Sequence, residues 1–147
     1  MEPGLQKVEV YRIAHELAVR THVMSLNLPT FERFEEAPQV RRSSKRVSAS
    51  IVEGYAQRKY KALYLSYLYR ALGSSDETQE HLLLLKDTGS LADRAVHEEL
   101  ATKSAELSRK LFRFIQGVEQ FHEVPNYLSD VPLEAFEPPP EDDEPLD

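Results

Sequence analysis

The most distinctive chemical feature of the chain is a basic stretch between positions 41 and 61. On a helix, positions 41 and 45 share one face, and positions 42 and 46 share the adjacent face. Clustered cations of this kind bind phosphate groups, with an affinity that comes from the release of counterions. We therefore expect a nucleic-acid-binding surface made of seven residues that surround a single acid, Glu53. These are Arg41, Arg42, Lys45, Arg46, Arg58, Lys59 and Lys61.

A structural role for part of this stretch is the alternative. Arg41 and Arg42 could form ion pairs within one chain or between subunits, because the guanidinium fork fits a carboxylate. Glu53 is assigned such a structural role, together with the adjoining Gly54, because a carboxylate there could tie an arginine across the helix ends. The candidate acidic partners are Glu53, Glu77 and Glu80.

Five tyrosines crowd the region next to the last three cations. Aromatic rings beside cations could stack on nucleic-acid bases. The favoured alternative is a packing stripe, since Tyr60, Tyr64 and Tyr67 follow the i, i+4, i+7 spacing of one helix face. The five are Tyr55, Tyr60, Tyr64, Tyr67 and Tyr69.

Catalysis and metal binding find little support. The chain has no cysteine, which excludes disulfides, thiolate metal sites and a thiol nucleophile. A di-iron bundle needs Glu three residues before His, but Thr78 and Arg94 stand three residues before His81 and His97. No Gly-x-Ser-x-Gly motif occurs. The sequence therefore predicts a protein that is not an enzyme and has neither a metal nor a cofactor.

Charge divides the chain into two parts. Eighteen basic against fifteen acidic residues give residues 1–118 a charge of +3, whereas ten acids and no base give residues 119–147 a charge of −10. We expect one domain over residues 1–121, followed by an acidic, proline-rich tail over residues 122–147. The tail could fold over the basic stretch and compete with phosphate, or it could serve only solubility. No apolar run approaches the ~20 residues of a membrane span, and no secretory signal is visible, so we expect a cytoplasmic protein without membrane contact.

Heptad spacing of apolar and small residues predicts four amphipathic helices over about 10–28, 38–55, 58–88 and 91–121. Pro29 should stop the first helix, and Gly54 and Gly89 should end the second and third. Phe31 and Phe34, in the first connection, should cap one end of the core. The expected fold is all-α: an antiparallel up-down four-helix bundle.

The third helix has apolar residues on an unusually wide arc. Two adjacent seams run along it, which suggests that it faces a second subunit as well as its own core. Gly73 lies mid-helix, where glycine costs ~1 kcal/mol relative to alanine, and a close contact between backbones would explain it. The predicted oligomer interface is Tyr64, Leu65, Tyr67, Leu68 and Gly73.

Several motifs occur in order along the chain. Residues 39–54 are QVRRSSKRVSASIVEG, and Arg58, an Ala-Leu-Gly-Ser at 71–74 and a Glu-Thr-Gln-Glu-His-Leu at 77–82 follow; Val8, Tyr11, Ala14 and Leu17 precede them. Over residues 8–118 the chain resembles the 23S rRNA intervening-sequence protein family. It departs from the family pattern at three positions, where the family commonly has Ser, Pro and Asn: Arg46, Ser48 and Ser50.

The resemblance implies a bacterial, barrel-shaped homopentamer of up-down bundles. A related branch comprises accessory proteins of diversity-generating retroelements, which bind a reverse transcriptase and nucleic acid. From the residues and the resemblance together we expect a non-enzymatic homo-oligomer, with a pentamer as first choice. Its expected partners are RNA or DNA, or a protein such as a reverse transcriptase. The alternative is a protein–protein interaction scaffold whose basic cluster is structural.

Overall fold

The computed structural model describes residue 1 and residues 3–122. All the regular structure in these residues is helical. Of the predicted tail over 122–147, only His122 lies inside the described residues. The elements are a 3₁₀ turn at Leu5–Lys7, α1 at Glu9–Ser25, a 3₁₀ turn at Thr30–Phe34, α2 at Glu36–Ala56, α3 at Lys61–Asp87 and α4 at Arg94–Phe121.

Contacts between the helices show an antiparallel arrangement, which confirms the predicted four-helix bundle. As residue numbers rise along α1, the numbers of the contacted residues on α4 fall. The contacts between α2 and α3, and those between α3 and α4, follow the same rule. The pairs are Glu9–Lys110, Glu16–Lys103 and Arg20–Glu99; Glu36–His81 and Ser43–Thr78; and Lys61–Glu119 and Ser75–Ser108.

The bundle has two ends, a near end and a far end. The near end holds the start of α1, the turn at residues 57–60 and the end of α4. The far end holds the connections at residues 26–35 and 88–93.

The core is built from the predicted heptad seams. In α1 the positions with the predicted spacing are all buried, and Leu28, the next in that series, lies beyond the helix and is half-buried; the buried ones are Val10, Ala14, Leu17, Thr21 and Met24. In α2 all five such positions are buried: Val40, Ser44, Val47, Ile51 and Gly54. Residues of α4 form most of the opposite side of the core. At the end of α4 the pattern fails, since Phe121 is 77% exposed. The largest fully buried side chains are Leu5, Leu17, Ile51, Leu68, Leu82, Leu85, Leu100, Leu107, Leu111, Ile115, Val40 and Val47.

Both seams of α3 are used inside the chain. Ser43 of α2 approaches Thr78 to 2.9 Å, while Ser108 of α4 approaches Ser75 to 2.7 Å. The helix is thus held between two neighbours, and packing against both needs a wider apolar arc than packing against one. The wide arc therefore does not by itself indicate a second subunit.

Gly54 does not end α2, contrary to the prediction from sequence. The helix continues to Ala56, and only Gly89 among the glycines has positive φ, at 80°. A Cβ built on Gly54 would lie 2.8 Å from Cβ of Tyr67 and 3.5 Å from the carbonyl oxygen of Tyr64. Glycine is needed there because α2 and α3 approach closely. The other prediction is confirmed: Gly89 follows the end of α3 in the left-handed conformation.

A buried carboxylate, rather than the predicted aromatic pair, closes the far end. Phe31 and Phe34 are 61% and 83% exposed, whereas Glu32 is 3% exposed. Its Oε2 accepts a hydrogen bond from the Glu36 backbone N–H at 3.0 Å, which satisfies a free donor in the first turn of α2. Its Oε1 accepts one from the Ser90 hydroxyl at 2.8 Å. Glu32 thereby joins the connection at 26–35 to the connection at 88–93.

Among the residues that the structure describes, no helix has both the length and the apolar character needed to cross a membrane.

Candidate nucleic-acid interface

Three cations lie together on the outer face of α2. Arg42, Lys45 and Arg46 are all exposed, and their i, i+3, i+4 spacing brings them to one side of the helix. The inner face of the same helix is formed by Val40, Ser43, Ser44 and Val47, which are buried. The fold therefore directs this basic group outward, away from the core.

Within the described residues, no carboxylate pairs with any of these three cations. Neither predicted acidic partner on α3 pairs with these cations: Glu77 contacts His81 at 3.3 Å, and Glu80 is exposed, with no ion pair to α2 among the described residues. Glu53 is exposed too, and seven residues of helix, or about 10 Å of rise, separate it from Arg46. The ion pairs proposed from sequence for Arg42 are thus not formed within the described chain.

Arg41 differs from its three neighbours. It is partly buried, and its guanidinium Nη1 donates a hydrogen bond to the Ser25 hydroxyl at 3.0 Å. Ser25 in turn donates to the His22 carbonyl oxygen at 2.7 Å. Arg41 therefore ties α2 to the end of α1 through a hydroxyl, not through one of the predicted carboxylates.

The cations on the α2 face have no ion-pair partners among the described residues, whereas the lysines between α1 and α4 do. There Lys103 reaches Glu16 at 2.8 Å, and Lys110 contacts both Glu9 and Glu106. Hydrogen bonds and charge from these lysines hold the pKa of Glu9 and the pKa of Glu16 below their ordinary value. Cations on that seam are neutralised locally, in contrast to the three exposed cations on α2.

The seven predicted cations do not form one surface. From Arg46 to the last residue of α2, Ala56, the helix rises by about 15 Å, and the remaining three cations lie beyond it, at the near end. There Arg58 stacks on the Tyr55 ring at 4.1 Å and donates to the Tyr55 carbonyl oxygen at 2.8 Å. Lys61 donates to the Glu119 carbonyl oxygen at 2.8 Å, and Lys59 is exposed. The second group is thus partly engaged in holding the helix ends together.

Most of the tyrosines pack instead of offering open rings. Tyr64 is 4% exposed and meets Phe114 and His122 edge-on, with ring centroids 6.4 and 5.3 Å apart. Burial raises the pKa of Tyr64 to about 12. Tyr60 and Tyr67 are half-buried, as a packing stripe requires.

Tyr69 is the exception, with 49% exposure. Its hydroxyl donates to the Glu119 carboxylate at 2.8 Å, and this bond raises the pKa of Tyr69. Tyr69 lies on α3, away from the Arg42, Lys45 and Arg46 face. Tyr69 therefore does not place a ring beside these three cations. At the near end, beside the last three predicted cations, Arg58 stacks on Tyr55 and Lys59 lies 5.8 Å from the centroid of the Tyr60 ring.

The predicted interface residues on α3 fall into three groups. Tyr64 and Leu68 belong to the chain's own core, where they pack with Ile115 and Val118; we correct their assignment accordingly. Leu65 and Tyr67 are half-buried. Gly73 is exposed, and a Cβ built on it would have no neighbour within 4 Å, so no close approach occurs there within the described chain.

Metal binding finds no geometric basis in the part of the chain that the structure describes. No group of three or more His, Asp or Glu side chains could hold an ion there. His81 lies between two carboxylates, 2.7 Å from Glu36 and 3.3 Å from Glu77, and this contact links α2 to α3.

Comparison with known proteins agrees with the fold and its motifs. The profile of the 23S rRNA-intervening sequence protein family matches residues 6–113. Among solved structures, the chain is similar to a protein of unknown function from the S23 ribosomal protein family of Bacteroides thetaiotaomicron, with a TM-score of 0.64 and 27% identity. The match covers 73% of this chain and 98% of that one. A search of curated proteins gives no match. The family profile spans most of the helical bundle and includes α2 with its basic face, so the chain belongs to the 23S rRNA-intervening sequence protein family.

Proposed function

We propose that the chain is a non-enzymatic scaffold that binds nucleic acid through the outer face of α2, with Arg42, Lys45 and Arg46 as the phosphate contacts. The observation that carries the proposal is the exposure of these three cations on one helix face with no carboxylate partner among the described residues. Phosphates would replace the missing carboxylates, and counterion release would supply the affinity.

The second basic group has a lesser part in this proposal. Lys59 and Lys61 lie at the near end and extend the positive surface only if a ligand runs along α2. A strand of nucleic acid is long enough to do so, whereas a single phosphate is not. The proposal therefore places the main contacts at Arg42, Lys45 and Arg46 and secondary ones at the near end.

The test is titration of a labelled, mixed-sequence single-stranded RNA at several salt concentrations. The variant carries Arg42→Ala, Lys45→Ala and Arg46→Ala together. The logarithm of the affinity falls with the logarithm of the salt concentration, and each phosphate contact adds about 0.7 to the steepness of that fall for a single strand. We therefore expect the slope of the variant to be less steep by about 2. Duplex DNA and duplex RNA serve as comparison ligands.

The matched control removes the same charge from a different surface. Lys86, Arg94 and Arg109 are exposed on α3 and α4, and their triple alanine variant should retain the slope of the parent. Equal losses in the two variants would mean that net charge, and not the α2 face, governs binding. No binding by the parent chain would remove nucleic acid from the proposal.

A protein partner is the second candidate function, and one observation favours it. Val19 and Val23 of α1 and its C-cap residue Leu26 form an i, i+4, i+7 stripe and are 51%, 56% and 66% exposed. Ser25 and Arg41 show that the end of α1 lies beside the basic half of α2. An acidic, apolar protein surface would fit such a mixed face, in a reverse transcriptase or another partner.

Self-association belongs to the same proposal. Its support is the set of large apolar side chains left exposed, which includes Leu83, Leu84 and Phe112 at 45%, 37% and 51%. Leu65, Tyr67 and Gly73 remain the proposed contact positions on α3. A pentamer, as the family resemblance implies, is the assembly that we propose.

A further inference from the structure

An open groove at the near end has no role in the functions proposed above. It lies between the Leu5–Lys7 turn, the start of α1 and the last turns of α4, and has a volume of about 780 Å³. Val8, Val10, Phe114 and Val118 form its apolar floor, and Phe121 stands at its edge. Phe121 is 77% exposed, so a large aromatic ring at the groove is left without cover by the described residues.

The rim of this groove is positively charged. Lys7, Lys110 and Arg113 line it. Lys110 is neutralised by Glu9 and Glu106, but the described residues supply no carboxylate partner to Lys7 or Arg113, both of which are exposed. An occupant that combines apolar side chains with carboxylates would fit the floor and the rim together.

Gly117 leaves room for an occupant in the groove. It lies in the interior of α4 and lines the groove, at a cost in helix stability of ~1 kcal/mol relative to alanine. A Cβ built on it would have no neighbour within 4 Å. No packing in the described chain accounts for the missing side chain, whereas a segment lying close against the bare backbone would.

The chain itself supplies a segment of the required composition at this position. His122 lines the groove, and its ring is held by the Arg58 carbonyl oxygen at 2.7 Å and by the Tyr64 ring. The described part of the chain therefore ends at the edge of the groove. Residues 123–147 lie outside the described part of the chain; they contain nine acids and no base, and their apolar residues include Val124, Tyr127, Leu128, Val131, Leu133 and Phe136.

We propose that the segment over 124–136 of the same chain folds back into this groove, with its apolar side chains on the floor and its carboxylates facing Lys7 and Arg113. The length is sufficient. From Phe121 back to Lys110, α4 spans about 16 Å, which an extended segment of about five residues covers. The start of the segment is tethered at the groove, so docking does not incur the entropy cost of bringing in a separate molecule.

The experiment uses glycine amides as native probes. The chain has five glycines, so selective ¹⁵N-glycine labelling gives few signals. The Gly117 signal is compared between the full chain and a chain that lacks residues 126–147. We expect Gly117 to shift on deletion, whereas Gly73, an equally open mid-helix glycine on α3, keeps its position. An unchanged Gly117 signal would overturn the proposal.

Charge reversal tests the rim. In the full chain, Lys7→Glu with Arg113→Glu should move the Gly117 signal toward its position in the shortened chain. The matched control, Lys86→Glu with Arg94→Glu, should leave it in place. If the Gly117 signal does not move when Lys7 and Arg113 are reversed in charge, the charge complementarity on which the proposal rests is contradicted.

A mixing experiment identifies the occupant. Labelled shortened chain is combined with unlabelled full chain, and the Gly117 signal of the shortened chain should not move. If it moves to the full-chain position, the groove accepts the segment of a second copy, and docking within one chain is wrong. None of these measurements involves nucleic acid, so they remain valid whether or not the α2 face binds RNA.

Discussion

Two glycines with the same helical setting differ in what surrounds them. A Cβ on Gly54 would lie 2.8 Å from Cβ of Tyr67, whereas one on Gly73 would meet nothing within 4 Å. Both positions carry the intrinsic cost of glycine in a helix, ~1 kcal/mol relative to alanine. Only at Gly54 does packing oppose the replacement, because the neighbouring atom is the rigid first carbon of a side chain.

We expect Gly54→Ala to lower the free energy of unfolding by about 1–2 kcal/mol, because overpacking outweighs the gain in helix propensity. The measurement is urea unfolding followed by circular dichroism. Tyr67→Gly combined with Gly54→Ala, measured against Tyr67→Gly alone, supplies the control, since only glycine removes the Cβ that the added methyl would meet. An unchanged or raised unfolding midpoint for Gly54→Ala would show that the two helices are farther apart than described.

Gly73→Ala should have the opposite sign and raise the free energy of unfolding by about 1 kcal/mol through helix propensity alone. The same urea titration measures it, with Gly54→Ala beside it as the reference. A loss of stability at Gly73 would mean that another subunit packs against this position, as the sequence suggested. Gly73→Leu would then weaken the assembly further, by overpacking.

At the scale of helices, the seam between α1 and α4 should respond to acid. The pKa of Glu9 and the pKa of Glu16 are lowered in the folded chain by Lys110 and Lys103. A carboxyl whose pKa is lower in the folded state stabilises the fold above its ordinary value of 4.5, and this contribution is lost as the pH falls through the lowered value.

The chain should therefore be more resistant to urea than its Glu9→Gln, Glu16→Gln variant near pH 6, and the difference should disappear toward pH 3. Because the pairs are exposed, salt should reduce the difference as well. Glu98→Gln with Glu80→Gln, at exposed positions without such lysine contacts among the described residues, makes the control. A difference in urea resistance that persists unchanged at pH 3 would mean that ionised Glu9 and Glu16 are not its cause.

Sequence periodicity was sufficient to predict the helices and their buried faces, because residues at heptad spacing lie on one side of a helix. Val10, Ala14 and Leu17 are buried as the spacing indicates. It was insufficient for Gly54, where two explanations, a helix end and a close approach, fit the same residue and only the position of Tyr67 decides between them.

The candidate site shows a different limit. Basic residues from 41 to 61 look contiguous along the chain, but the helix between Arg46 and Arg58 carries them apart. Glu32 was missed because a carboxylate in a connection ordinarily faces water; its position three residues after Pro29 and just before α2, where free N–H groups gather, is the signal that could have indicated it.

At the scale of the whole molecule, light scattering tests self-association. We expect a mass several times that of one chain at micromolar concentration, because the bundle leaves large apolar side chains such as Leu83 and Phe112 exposed. Leu83→Glu with Phe112→Glu should lower the mass while circular dichroism keeps its helical signal. A monomeric parent chain would remove the pentamer from the proposed function.

The electrostatic effect of the acidic segment on the basic face of α2 depends on the distance between them. If residues 124–136 lie in the near-end groove, the rise of α2 between Arg46 and Ala56 keeps them about 15 Å or more from the Arg42, Lys45 and Arg46 face. Screening acts over about 30 Å at 0.01 M salt but about 8 Å at 0.15 M. The repulsion between the segment and a phosphate on α2 should therefore be felt only at low salt.

Deletion of residues 126–147 should accordingly raise the affinity for single-stranded RNA at about 0.01 M salt and leave it unchanged at about 0.15 M. The same deletion is made in the variant with Arg42→Ala, Lys45→Ala and Arg46→Ala. The part of the affinity change that is lost in this variant depends on the α2 face. A rise in affinity that persists at 0.15 M would mean that the segment lies directly on the α2 cations, as the charge pattern of the sequence first suggested. If deletion of residues 137–147 alone leaves the affinity unchanged at 0.15 M, the rise comes from residues 126–136, and their docking in the near-end groove would be contradicted, since they cannot occupy both places at once.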